Sequence, residues 1–135
     1  MVSILIPKIS VGDFLLNDHI DNYKGKYIFE KSSKDESGYE GYAIYNPETC
    51  LFVEDGKIVS IASYEECIYK GQNIIGMTIE EFTSHTGEKY YGEVDRADFE
   101  EDDIPQYVYE FEDIGLQIWE KGKGGKIVTV IASLS

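Results

Sequence analysis

The chain contains few cysteines, histidines and basic residues. Its 135 residues include two cysteines, two histidines, and 12 lysines and arginines together. Cys50 and Cys67 match no CxxC or zinc-ligand spacing, so we expect two free thiols in a reducing compartment. His19 and His85 show no HxxxH spacing, and we expect structural roles for both. A chain of this length buries about 68% of its unfolded surface, which is enough to dispense with disulfides and metal ions.

Long apolar runs are also missing. No stretch approaches the roughly 20 apolar residues that a membrane-spanning helix needs. The N-terminal segment MVSILIPKIS has no basic leader, no long apolar stretch and no small-residue cleavage site. We therefore expect a cytoplasmic protein that does not bind membranes.

Positive charge is scarce relative to negative charge. The 26 aspartates and glutamates outnumber the basic residues and give a formal net charge of −14. Nucleic acids and anionic membranes would repel such a chain, so we do not expect either as a partner. Acidity of this degree favours a basic protein partner, although it also serves solubility alone.

The second half of the chain repeats the first. Three pairs of similar blocks occur in the same order: SVGDFLLND (10–18) with TIEEFTSHT (78–86), YAIYNPETCLFV (42–53) with YVYEFEDIGLQI (107–118), and GKIVSIAS (56–63) with GKIVTVIAS (125–133). Three matches in one order indicate an internal duplication. We expect a single domain over 1–135, with repeat units of about 1–68 and 69–135.

Each unit is predicted to begin with a helix. Capping-box patterns, a hydroxyl residue followed three positions later by an acid, start two segments: Ser10 with Asp13, and Thr78 with Glu81. The expected helices run roughly over 11–20 and 79–86, and Gly87 ends the second.

The rest of each unit reads as strands, because β-branched and aromatic residues alternate between turn residues. Asp55-Gly56 is a two-residue hairpin signal, 121–125 is a looser equivalent, and 32–40 is expected to be an exposed loop. The predicted fold class is α+β, with two tandem helix-plus-antiparallel-meander units and the helices on one face of a sheet.

This layout resembles the tandem-repeat fold of β-lactamase inhibitor proteins and the related small outer-membrane assembly lipoproteins. The resemblance rests on the helix segment GMTIEEFTSHTGE (76–88) and on the strand ending GLQIWEKGKGGKIVTVIA (115–132). The chain departs from the secreted members, since it has no signal peptide, disulfide pattern or lipid-attachment cysteine.

Motifs for catalysis are missing. No serine lies in GxSxG, and GKGGK (122–126) lacks the spacing and the following helix of a phosphate-binding loop. The acidic stretch DFEEDD (98–103) lacks the calcium-loop pattern. We expect no enzyme activity, no cofactor and no metal site.

The most distinctive feature is an acidic segment beside aromatic residues. Between 93 and 103, seven acids accompany one base, Arg96. A solvated loop would account for the acids, whereas a docking surface would use the acids for steering and the aromatics as anchors. The residues expected to bind a partner are Glu93, Asp95, Asp98, Phe99, Glu100, Glu101, Asp102, Asp103, Tyr107 and Tyr109.

A small acidic chain without catalytic motifs resembles, in type, the immunity proteins that neutralise bacterial toxins, including those of contact-dependent growth inhibition systems. The resemblance implies a monomer that binds a cognate toxin domain 1:1, with a basic nuclease as the expected toxin. No signature motif identifies a subfamily. Two alternatives remain: a non-inhibitory interaction or adaptor module, and a small ligand-binding domain or enzyme that would need a deep pocket.

Overall fold

The structure, a computed structural model, describes residues 1–32 and 38–134. Strands account for 49% and helical residues for 11%, with a single α-helix. The expected α+β class with two helix-plus-meander units is therefore wrong, and the protein is mostly β. Residues 33–37 of the expected loop 32–40 lie outside the described residues.

The described ranges contain thirteen strands and one α-helix. Short 3-10 helices lie at Ile20–Asn22 and Glu112–Ile114. The other elements are β1 (Leu5–Ile6), β2 (Ser10–Val11), β3 (Phe14–Leu15), β4 (Glu30–Ser32), β5 (Glu40–Ile44), β6 (Thr49–Glu54), β7 (Lys57–Ser63), β8 (Ile68–Tyr69), β9 (Gln72–Asn73), α1 (Ile79–Thr86), β10 (Asp95–Phe99), β11 (Asp102–Phe111), β12 (Leu116–Lys121) and β13 (Lys126–Ser133).

Eight strands form one antiparallel sheet with the order β10-β11-β12-β13-β7-β6-β5-β4. Each half of the chain supplies four consecutive strands, and the halves meet where β7 pairs with β13. There Ile61 lies opposite Ala132, and Ala62 lies opposite Ile131. Strands β4 and β10 are consequently the two edges of the sheet.

The two halves share an irregularity as well as a strand order. The register between β6 and β7 skips Val59, and the register between β12 and β13 skips Val128. These two valines occupy matching places in the aligned blocks GKIVSIAS and GKIVTVIAS. A bulge at the same place in both meanders supports the duplication, although the repeat boundaries stay a prediction.

The core lies between one face of the sheet and the segments 1–29 and 64–90. Leu51, Ile61 and Ile118 on this face are fully buried. Phe14 and Phe82, which the repeat alignment matches, are also fully buried and join the same cluster. The opposite face presents half-buried side chains that include Phe52, Ile131 and Trp119.

The predicted helix over 11–20 does not form. Strands β1, β2 and β3 make a small three-stranded sheet, with Gly12-Asp13 as the turn between β2 and β3. Gly12 has φ +58° and Asn17 has φ +68°, both outside the right-handed helical region. A short apolar pattern fits the period of a strand as well as that of a helix, and here the turn residues decided the outcome.

Helix α1 is confirmed. The Thr78 side chain accepts a hydrogen bond from the Glu81 N–H, and the Glu81 side chain accepts one from the Thr78 N–H. Gly87 ends the helix in the left-handed conformation, as predicted. None of the helices in residues 1–32 and 38–134 is long and apolar enough to cross a membrane.

Gly115 should be harder to replace than Gly87, although both have φ near +70° (62° and 74°). A Cβ at Gly115 would overlap the Ser133 carbonyl oxygen, whereas one at Gly87 would meet nothing within 4 Å. We expect Gly87→Ala to cost about 1 kcal/mol from backbone strain, and Gly115→Ala to cost at least about 2 kcal/mol. Urea unfolding of both variants measures the difference; equal losses would contradict the predicted clash.

Candidate functional site: an acidic edge and a tyrosine pocket

The acidic segment, residues 93–103, is not a loop. Its first two residues lead into the edge strand, and the remaining residues form the tip of a hairpin at the sheet edge. Residues Asp95–Phe99 form the edge strand β10, Glu100 and Glu101 form the turn, and β11 begins at Asp102. The backbone pairs Arg96 with Tyr107 and Asp95 with Val108. All ten predicted partner-binding residues therefore lie at one end of the sheet.

Most carboxylates of the acidic segment are unpaired. Asp98 accepts from Arg96 at 3.1 Å, and Asp102 pairs with Lys121 at 2.7 Å. The hydrogen bond from Lys121 is the main cause that holds the pKa of Asp102 below its usual value. The others have no ion pair within the described part of the chain: Glu93, Asp95, Glu100, Glu101 and Asp103. The field at this edge is thus strongly negative.

Charge at a sheet edge also has a structural explanation. An edge strand exposes unpaired backbone groups, and charged side chains discourage another chain from pairing there. The acids on β10 would serve this purpose in a protein with no partner. A binding site therefore needs further support, and the face of the sheet beneath the hairpin supplies it.

A pocket of about 360 Å³ opens on the core side of β11. Tyr107 and Tyr109 are two residues apart on the strand, so their side chains share one face. Tyr90, which follows α1, packs edge-on against Tyr109 with ring centroids 4.9 Å apart. Val94 and Lys123 complete the lining. We call these five residues the tyrosine pocket.

A buried carboxylate is hydrogen-bonded to one of the tyrosines of the pocket. Glu120 is 2% exposed and lies directly across from Tyr107 in the β11–β12 register. Its Oε1 accepts a hydrogen bond of 2.9 Å from Tyr109 Oη, and no other hydrogen bond to it comes from the described residues. Burial raises the pKa of Tyr109, and the hydrogen bond to Glu120 raises it further. The hydroxyl therefore stays protonated and donates at physiological pH.

The predicted site residues divide between two faces. Tyr107 and Tyr109 point to the tyrosine pocket, whereas Phe99 lies on the opposite face near Trp119, with ring centroids 6.4 Å apart. The two tyrosines of β11 were among the expected binding residues, whereas Glu120 and Tyr90, an aromatic residue that flanks the acidic segment in the sequence, were not. Alternation in LQIWEK places Glu120 with Leu116 and Ile118, and this pattern was a usable signal.

A groove of about 430 Å³ lies on the opposite face of the sheet, and the sequence did not predict it. Its lining includes Tyr39, Glu110, Glu112 and Gln117. Trp119 donates to Gln117 Oε1 at 2.9 Å, and Gln117 donates to Glu110 Oε1 at 2.7 Å. This chain of hydrogen bonds ties two polar groups of the groove, Gln117 and Glu110, to each other.

A third surface is the outer face of the three-stranded sheet. In β1–β3 one side is buried through Leu5, Val11 and Phe14. Near the other side, aliphatic residues are between 47% and 62% exposed: Val2, Ile4, Ile6, Ile9 and Leu15. The predicted helix over 11–20 concealed this patch, because Leu15 would share the buried apolar face of such a helix with Val11 and Phe14.

The described residues contain no group of three or more histidines, cysteines and carboxylates placed to hold a metal ion. His85 Nε2 contacts the Lys70 carbonyl oxygen at 3.1 Å, and His19 caps the short helix at Ile20–Asn22. Both histidines thus make structural contacts. Cys67 is fully buried, which raises the pKa of its thiol to about 12, and Cys50 is a half-buried free thiol.

Comparison with known proteins gave no match: no family model, no curated protein and no solved structure is significantly similar to this chain. A function is therefore inferred from the surfaces described above.

Tyr109→Phe should destabilise the protein by about 1–3 kcal/mol, because it leaves the buried Glu120 carboxylate without its hydrogen-bond donor. Tyr91→Phe is the matched control, since Tyr91 Oη donates to the exposed Asp113 and its loss should cost less than about 0.5 kcal/mol. Urea unfolding at neutral pH distinguishes the two. Equal losses would show that the Tyr109–Glu120 contact has no special energetic role.

Proposed function

We propose that this protein is an immunity-type inhibitor that binds and neutralises a basic bacterial toxin domain. The acidic segment and the tyrosine pocket would form the contact surface. The observation that supports the proposal is their position: unpaired carboxylates on β10 and its turn lie at the same sheet edge as an open pocket of three tyrosines. A monomer in the cytoplasm that binds 1:1, with no cofactor, suits this role.

The carboxylates suit fast encounter. An inhibitor of a toxin must bind before the toxin acts, and complementary charge raises association rates above those of neutral surfaces. Glu100 and Asp103 are exposed at and beside the turn and form no ion pair with the described residues. Their field is consequently available to a basic partner.

The tyrosines suit anchoring. A tyrosine offers a large contact area at low conformational cost, and aromatic residues are common among the residues that dominate binding energy. Contacts within the protein already orient Tyr90 and Tyr109, through ring packing and the hydrogen bond to Glu120. Such preorganisation lowers the entropic cost of binding.

A second candidate is a non-inhibitory interaction module. The exposed aliphatic patch of Val2, Ile4, Ile6, Ile9 and Leu15 favours it, because exposed apolar patches commonly mark protein–protein contacts. Such a module would bind a partner without inhibiting it, and it would use the patch rather than the acidic segment.

A two-stage experiment tests whether the protein is an inhibitor or a non-inhibitory interaction module. The tagged protein first captures partners from a lysate of the source organism, and each captured domain is then expressed in a test bacterium with and without this protein. The proposal predicts a domain that stops growth alone and permits growth when co-expressed. A captured domain whose activity is the same in both cases would contradict inhibition and favour the second candidate.

Neutralising the acidic segment should slow association with that partner. Glu100→Gln with Asp103→Asn removes two unpaired charges, and we expect an association rate about five-fold lower at low salt, with a weaker salt dependence. The control, Glu54→Gln with Asp55→Asn, removes two exposed charges at the distant β6–β7 turn. Stopped-flow or surface-plasmon measurements report both rates, and equal rates for the two variants would exclude steering by this segment.

A further inference from the structure

Tyr42, on the strand next to the other sheet edge, shows how this protein covers a tyrosine ring. The repeat alignment matches Tyr42 with Tyr107, but the strand registers match it with Tyr109. Tyr42 lies across from Leu51 and Tyr109 lies across from Ile118, and each of these two partners comes three residues before the last paired residue of its hairpin. Lysines of the protein itself cover the Tyr42 ring, with Lys31 Nζ at 5.5 Å and Lys24 Nζ at 5.7 Å from its centroid. Tyr42 is 5% exposed, so its ring is covered by residues of the protein itself and is closed to a partner.

Tyr107 also lies across from a base on the edge strand, but this base does not lie over the tyrosine ring. Lys31 lies across from Tyr42 in the β4–β5 register, and Arg96 lies across from Tyr107 in the β10–β11 register. The Arg96 side chain instead contacts Asp98. Asp98 Oδ1 accepts a hydrogen bond from Arg96 Nε at 3.1 Å and pairs with Arg96 Nη2, also at 3.1 Å. In the described ranges no lysine or arginine covers the ring of Tyr107, Tyr90 or Tyr109.

A carboxylate beside the Tyr107 ring also favours the binding of a cation. The buried Glu120 lies directly across from Tyr107 and accepts one hydrogen bond, from Tyr109. A buried carboxylate is stabilised when a cation approaches it. Tyrosine faces attract ammonium and guanidinium groups, and the attraction strengthens as the cation loses water.

We infer that the tyrosine pocket receives a lysine or arginine side chain of the partner, with its charged group over the Tyr107 ring and next to Glu120. The identity of the partner rests on the proposed function, but the cation preference of the pocket does not. A cation of the partner would make with Tyr107 the kind of contact that Lys24 and Lys31 make with Tyr42.

Lys123 is the one base that lines the pocket, from the turn between β12 and β13. It is exposed, and it forms neither an ion pair nor a cation–π contact with the described residues. Its charge opposes entry of another cation. Lys123→Met should therefore strengthen cation binding by about two- to three-fold.

The direct test is an NMR titration of the full chain with labelled tyrosine rings. The probes are n-butylammonium and n-butylguanidinium chloride, with 1-butanol as the neutral control and potassium chloride to match ionic strength. We expect saturable shifts at Tyr90, Tyr107 and Tyr109 with both cations, no comparable shifts with butanol, and no response at Tyr42, whose face is already covered.

Two variants assign the contact. Tyr107→Leu removes the aromatic face, and Glu120→Gln removes the charge at nearly constant shape; each should weaken cation binding by about five-fold or more. Asp98→Asn releases Arg96, which can then cover Tyr107, so it should also weaken binding, whereas Glu54→Gln should not. Shifts of equal size with butanol, or unchanged affinity in both Tyr107→Leu and Glu120→Gln, would overturn the inference.

These results are independent of the proposed function. A pocket that binds the cations while Tyr107→Leu leaves partner capture unchanged would sustain the cation preference of the pocket, but it would contradict a partner side chain as the occupant and the proposed contact surface with it. If the protein protects cells from the captured domain while the pocket shows no cation preference, the proposed function would be sustained and the inference contradicted.

Discussion

The backbone pairing between β7 and β13 holds the two halves of the sheet together. Ile61 and Ala62 face Ala132 and Ile131 across this seam, and three of the four are nearly or fully buried. Without the pairing, each half would expose the unpaired backbone groups of a strand edge and the buried residues beside it.

This seam also decides where the two ends of the sheet lie. Because β7 and β13 are in the middle, β4 and β10 become the edges, and the regions next to them are structural counterparts. Each half places a tyrosine across from a base beside a sheet edge, Tyr42 from Lys31 and Tyr107 from Arg96. Lys31 covers the Tyr42 ring, whereas Arg96 pairs with Asp98 and leaves the Tyr107 ring without a cation. The proposed contact surface includes this uncovered ring.

Local signals in the sequence predicted some elements correctly. The hairpin at Asp55-Gly56 and the capped helix α1 depend on interactions within a few residues, and both were confirmed. The helix over 11–20 was wrong, because its apolar spacing suited either structure and Gly12 made a strand turn. The acidic segment was expected to be a loop, although β10 pairs with β11 over most of its length.

The candidate site was harder to predict, because it depends on register. Nothing near Glu120 in the sequence shows that it lies across from Tyr107, and nothing near Tyr90 shows that it reaches Tyr109. Likewise, the ion pair that turns Arg96 away from Tyr107 is visible only once β10 is placed beside β11. Composition located the acidic and aromatic region, but the pairing of strands determines which of its residues share a face.

The most direct test is hydrogen–deuterium exchange of the protein with and without its captured partner. Residues 93–109 should gain protection on binding, while the counterpart region 30–44, the groove around Gln117 and the N-terminal aliphatic patch should be unchanged. Protection at the patch or the groove, with none at 93–109, would contradict the account and move the binding surface to another face of the protein.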